Sequence, residues 1–120
     1  MKKLLISIFV ATLSSSVLAQ TTGSSYTTIS NVLLADGQYG ECMASIAAMP
    51  ANNVCGNAGI AGYVSFMCDG SNGVTKSGAR QRYDAAFAAM LLGKSVYISI
   101  TNEKTTSEGY CYVYDIRIAP

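Results

Sequence analysis

A single helical signal, with strand-like sequence on both sides of it, restricts the architectures open to this chain. Residues 77–94 read S-G-A-R-Q-R-Y-D-A-A-F-A-A-M-L-L-G-K. Tyr83, Ala86, Phe87, Met90 and Leu91 recur at the i, i+3, i+4, i+7, i+8 spacing of one helical face, which predicts that this face packs on the core. Ser77 is placed to cap the first turn, because its hydroxyl can accept from an otherwise orphaned backbone N–H. Gly93 can enter the left-handed conformation that ends a helix, and Lys94 then sits at the negative end of the helix dipole. The opposite side carries Ala85, Ala88, Ala89 and Leu92. A helix on the outside of a small monomer needs a polar outer face, so these four residues predict an interface with another subunit.

The flanking sequence alternates instead. Residues 20–25 are a polar lead expected to fray, and residues 26–35, rich in β-branched and aromatic types, predict a first strand. Asp36-Gly37 and Gly40 bracket a turn. Residues 41–49 place Cys42, Ala44, Ile46 and Ala48 on one side against Met43, Ser45, Ala47 and Met49, a second strand whose alanines also permit helix. Residues 50–62 are rich in breakers and predict a loop. A third strand is expected at 63–69 with Val64, Phe66 and Cys68 inward, a fourth at 95–101 with Val96, Ile98 and Ile100 inward, and a fifth at 110–118. Residues 102–109 read as a polar loop. The chain is therefore mainly β with one helix, in the order β-β-β-α-β-β. That is the element order of the OB-fold, a five-stranded barrel with its helix between strands three and four. An α+β sandwich is the alternative that the same order allows.

All four cysteines lie well beyond the N-terminal segment. If strands two and three pair antiparallel with Ile46 opposite Val64, Cys42 falls opposite Cys68 on the apolar side. Cys55 is then left for Cys111, so the expected disulfides are Cys42–Cys68 and Cys55–Cys111. A zinc site is the alternative, but the chain has no His and no Cys-x-x-Cys pair, and no metal or cofactor is expected.

An even cysteine count suits an oxidising compartment, and the N-terminus agrees. Lys2 and Lys3, an apolar run over residues 4–13, and Val17-Leu18-Ala19 before Gln20 have the pattern of a cleaved export signal. This largely apolar run is too short for the roughly 20 residues that a spanning helix needs, although a retained anchor is the alternative reading. The expected organisation is a signal peptide at residues 1–19 and one domain at 20–120, secreted or periplasmic, in a Gram-negative bacterium. Without Lys2 and Lys3, six basic residues face seven acidic ones, a net charge of −1. Such a surface offers no electrostatic footprint for nucleic acid.

The residues for catalysis are sparse. There is no histidine to act as a base near neutral pH, the cysteines are committed to disulfides, and no phosphate-binding glycine loop joins a strand to a helix. A non-enzymatic binding role fits better. Tyr39, Tyr63, Tyr97, Tyr110, Tyr112 and Tyr114 offer aromatic faces with hydroxyls, as sugar and protein interfaces use, and Ser24, Ser25, Thr27 and Thr28 add hydroxyls beside the first strand. The competing explanation is that the tyrosines cap the core and the hydroxyls are solvated strand faces.

The run G-Q-Y-G-E-C-M at residues 37–43, the later Cys68, and A-A-F-A-A-M-L-L-G-K-S-V-Y-I-S-I at residues 85–100 resemble the B subunits of AB5 toxins, in particular the subtilase-cytotoxin and typhoid-toxin binding subunits. The resemblance implies a homopentamer of OB-folds with its helices lining a central pore, host cell-surface glycans as ligands, and a separate toxic A subunit as a further partner. It also implies the Cys42–Cys68 pairing. The family's sugar site uses a hydroxyl residue on the first strand, where Thr27 falls, and the expected glycan set is Ser25, Thr27, Thr28 and Tyr39. The family's tryptophan and longer aromatic C-terminal segment are absent, so its sialic-acid ligand is not carried over. The runner-up is a small periplasmic or secreted OB-fold binding or inhibitor protein with a protein partner and no toxin role.

Overall fold

The computed structural model describes residues 22–50 and 62–120. The expected signal peptide and Cys55 lie outside the described residues. The elements are β1 (Thr22–Leu34), β2 (Cys42–Ile46), β3 (Tyr63–Ser65), a 3-10 turn (Ser71–Gly73), α1 (Lys76–Leu92), β4 (Ser95–Thr105) and β5 (Cys111–Ile118). The fold is mainly β with one helix.

The strands form one sheet whose pairings close on themselves in the order β1-β2-β3-β5-β4. That order differs from the chain order, because β3 pairs β5 in parallel at Ser65 and Tyr112, which places β5 between β3 and β4. β1 makes the closure possible by length. Its first half, Thr22 to Thr28, pairs antiparallel with β4, and an irregularity after Ile29 turns its second half onto β2. The segment expected to fray is thus strand from Thr22 onward, held by ladder bonds that its polar side chains do not announce. β4 likewise runs past Thr101 to Thr105, which pairs with Cys111 across an irregular step.

The disulfide Cys42–Cys68 is present, with Cα atoms 5.7 Å apart. The register expected to produce it is not. Ala44, rather than Ile46, lies opposite Val64, a slip of two residues that keeps every side chain on its expected face. β3 stops at Ser65, and Met67 adopts a left-handed φ of 57°. The Phe66 N–H still donates to the Cys42 carbonyl at 3.0 Å, and the bend at Met67 then brings Cys68 back to Cys42. Cys111 is also disulfide-bonded; its expected partner, Cys55, lies outside the described residues.

The core is built from the inward positions of the strands. Ile98, Ile100, Val64, Val96, Val113 and Phe66 are fully buried, each contributing roughly 1.5–3 kcal/mol of apolar burial. Helix α1 covers this core with Tyr83, Ala86 and Ala89, while Ala79 packs with Met67, Val74 and Tyr112. The small alanine side chains let the helix backbone approach the strands, and Tyr83 reaches in edge-to-face against Phe66 at 5.9 Å between centroids. This corrects the expected packing face. Phe87 and Leu91 are 42% and 68% exposed, whereas Ala89, expected at an interface, is fully buried.

Both helix ends are accounted for. Thr75, not Ser77, is the N-cap, and it makes no side-chain cap bond; its carbonyl accepts from Ala79 N–H at 2.9 Å. Gly93 has φ 63° as expected. Its N–H donates to Met90 O and that of Lys94 to Ala89 O, the paired closure of a helix that ends on a left-handed residue.

Candidate functional site

Strand alternation from Thr22 onward sorts the hydroxyl-rich start of β1 into two faces. Thr22, Ser24, Tyr26 and Thr28 are exposed, while Ser25 and Thr27 turn inward. The Ser25 hydroxyl is buried with no hydrogen-bond partner among the described residues. Thr27 is 6% exposed, and its Oγ1 accepts the Ala48 N–H at 2.9 Å. That bond ties β1 to the chain leaving β2, so the first-strand hydroxyl expected to meet a sugar has a structural partner. Thr28 is open to solvent. Tyr39 sits in the β1–β2 turn, beyond the far end of β1, and lines none of the hollows near Thr28 among the described residues. The four expected ligand residues therefore do not converge.

What the outward face of β1 does assemble is a platform across three strands. Register places Tyr26 opposite Tyr97 on β4, and Tyr97 opposite Arg117 on β5. The neighbouring row is Ser24, Ser99 and Asp115, and Thr28 faces Ser95 on the other side. Residues directly opposite across a sheet share a face, so the rows build one surface. Tyr26 is the most exposed large apolar residue among the described residues, at 69%, and stands edge-to-face on Tyr97 with centroids 5.0 Å apart. Ser24 Oγ and Ser99 Oγ are 2.8 Å apart. Arg117 donates from Nε to Asp115 Oδ2 at 3.0 Å, and its side chain is 73% exposed. A hollow of ≈ 500 Å³ opens here, lined by Tyr26, Tyr97, Arg117, Ile118, Ala119 and Pro120.

This surface combines an aromatic ring fixed by a second ring, hydroxyls, a carboxylate and a forked cation. A pyranose has the complementary character: a C–H face that stacks on an aromatic plane, and a rim of hydroxyls that donates to carboxylate and accepts from guanidinium. Among the described residues, no group of three or more His, Cys, Asp or Glu is placed to hold a metal ion. A first strand read as beginning at Tyr26 gives that residue no outward neighbours, so the sequence does not single it out. An alternation begun at Thr22 would have placed it outward.

The remaining tyrosines divide between packing and surface. Tyr112 is 8% exposed, accepts from Arg82 Nη2 at 2.7 Å, and has the Arg82 and Lys104 cations over its ring. Tyr39, Tyr63 and Tyr110 cover Met43 on the outside of β2. Tyr114 is 42% exposed.

The helix presents a second surface. On its solvent side Arg80 and Asp84 form an i,i+4 ion pair at 3.3 Å, and one turn further the same side becomes apolar with Phe87, Leu91 and Leu92. Of the four residues expected at an interface, Leu92 is exposed, Ala85 and Ala88 are half-buried, and Ala89 belongs to the core.

No helix among the described residues is long and apolar enough to cross a membrane. No protein-family model, no curated protein and no solved structure matches the chain.

Proposed function

We propose that this chain is a secreted, non-enzymatic glycan-binding subunit that assembles into a ring of OB-type barrels, the arrangement of an AB5-toxin B subunit. The observation that carries the reading is the Tyr26 ring, held outward on Tyr97 beside the Arg117–Asp115 pair. An isolated exposed tyrosine needs no explanation. One locked in place among hydroxyls and a forked cation is a preorganised stacking surface. The β-barrel part of the reading is supported by the closed order of pairings and by a helix that lies between β3 and β4 in the chain.

Assembly is supported by the apolar half of the helix. Burying what remains exposed of Phe87, Leu91 and Leu92 contributes on the order of 1 kcal/mol or more per side chain. The subunit number of five comes from the resemblance. Export, with cleavage before Gln20, is supported by the N-terminal pattern and by the Cys42–Cys68 disulfide. Cys55–Cys111 is the second disulfide of the proposal: the chain has four cysteines, two are joined to each other, and Cys111 is bonded.

A glycan array probed with the exported chain tests the ligand class. Binding to a defined set of saccharides is expected, and an array without binders removes the lectin reading. Pull-down from a periplasmic extract provides the contrast, since one dominant protein that sugars fail to elute would establish the inhibitor-type alternative instead.

A further inference from the structure

Two rows beyond Tyr26, Thr22 of β1 lies opposite Thr101 of β4, and Thr101 lies opposite Tyr112 of β5. A hollow of ≈ 360 Å³ opens at this row, lined by Thr22, Thr101, Glu103, Lys104, Tyr112 and Tyr114. Glu103 and Lys104 are consecutive, and neighbours along a regular strand point to opposite faces. Here the β4–β5 register shifts between the pairings of Thr101 and Thr105, and both residues reach the same hollow. The Glu103 N–H donates to Thr101 Oγ1 at 3.1 Å, which holds the backbone in that irregular step.

The hollow carries one charge of each sign. Among the described residues the ion pairs are Arg80–Asp84 and Arg117–Asp115, so the Glu103 carboxylate and the Lys104 ammonium line the hollow without pairing to each other or to a third group. The walls around them are aromatic and braced. Arg82 Nη2 donates to the Tyr112 hydroxyl at 2.7 Å, and its guanidinium carbon stands 5.5 Å from the ring centroid, which fixes the ring from the helix side. Lys104 Nζ stands 5.7 Å from the same centroid, a cation–π position that orients the ammonium. Tyr114, 42% exposed, supplies a second and more open ring.

We propose that this hollow binds a free α-amino acid with an aromatic side chain. Such a zwitterion bears a carboxylate and an ammonium on one carbon, so Lys104 and Glu103 are satisfied together by a single ligand. A simple anion is repelled by Glu103 and a simple cation by Lys104. A neutral sugar would desolvate both charges while supplying a countercharge to neither. The side chain of the ligand packs on the Tyr114 and Tyr112 rings. The volume lies within the range of about 300–1,000 Å³ usual for small-ligand sites. The hollow shares no lining residue with the one beside Tyr26, and the inference does not depend on the glycan reading.

The test is a ¹H–¹⁵N NMR titration of the exported chain with L-phenylalanine, phenylacetate and phenethylamine, each at up to millimolar concentration. Saturable shifts of the Thr22, Glu103, Lys104 and Tyr114 amides are expected with L-phenylalanine. Each analogue lacks one of the two charges and should bind at least about tenfold more weakly. Glu103→Gln and Lys104→Gln should each weaken L-phenylalanine about tenfold with the remaining spectrum unchanged. Glu103→Gln should also erase the preference for L-phenylalanine over phenylacetate, and Lys104→Gln the preference over phenethylamine, which a general loss of structure would not do. Tyr26→Ala should leave L-phenylalanine binding intact. Absence of saturable shifts with L-phenylalanine overturns the proposal, as does equal binding of either analogue, full affinity in either charge variant, or loss of the shifts in Tyr26→Ala. Failure here with intact array binding removes this hollow and leaves the Tyr26 site standing.

Discussion

At the scale of single residues, two positions make the physical argument testable. The Glu108 carboxylate is held below its ordinary value of 4.5, first by its own backbone N–H and then by Thr106, the Tyr39 N–H and Ser107, which together outweigh desolvation. A depressed carboxylate pKa means that the tie between the β1–β2 and β4–β5 turns is complete above the unfolded value. It is lost as pH falls through the lower folded value. An NMR pH titration should therefore place the Glu108 midpoint below 4.5, with the Tyr39 amide moving in parallel. A midpoint at or above that value would show that the turns are not joined in this way. Gly62 is the second position. It has φ 63°, and a Cβ there would lie 2.6 Å from the Ile46 carbonyl oxygen, which is backbone and cannot turn aside. Gly62→Ala should cost at least about 1–2 kcal/mol in chemical denaturation; an unchanged midpoint would contradict the tight β2–β3 approach.

At the scale of elements, the helix and the disulfide show what the sequence could and could not reveal. The existence and end of α1 were legible because Gly93 and a regular apolar spacing are local signals. Its rotation was not, because Tyr83–Phe87–Leu91 and Ala79–Tyr83–Ala86–Ala89 both have helical spacing. The second set packs because alanines allow close approach to the strands. Consequently Ala88→Glu and Leu91→Glu should spare the fold and disrupt assembly. Ala89→Glu should instead unfold the chain, because it puts a charge in a fully buried position at a cost above about 3 kcal/mol. Circular dichroism melts of the three variants distinguish these outcomes, and a native melt for Ala89→Glu would refute the observed helix rotation. The Cys42–Cys68 pairing was legible despite a register slip of two, since an even slip preserves facing, but the bend at Met67 was not, because nothing in a methionine signals a left-handed φ. Closing that 26-residue separation should contribute about 3–4 kcal/mol by chain entropy, read as the stability lost in Cys42→Ala with Cys68→Ala.

At the scale of the whole molecule, the closed order of strands decides which residues share a surface. The platform lies across β1, β4 and β5, and the helix adds an apolar surface of its own. The strand order that creates this layout was only partly legible: the succession of elements follows local alternation, whereas the parallel β3–β5 contact is a long-range pairing with no local signature. The Tyr26 platform went unread for the same reason, since its rows exist only once three strands are in register. Size-exclusion chromatography with light scattering should report a closed oligomer, five chains in the proposed arrangement, that dissociates in Leu91→Glu. A monomer at micromolar concentration would remove the ring. The most direct measurement of the central claim compares Tyr26→Ala with Tyr114→Ala against whichever glycan the array identifies. The account predicts at least a tenfold loss of affinity, about 1.4 kcal/mol, for Tyr26→Ala and little change for Tyr114→Ala, both with native melting temperatures. Equal affinity in the wild type and Tyr26→Ala would contradict it.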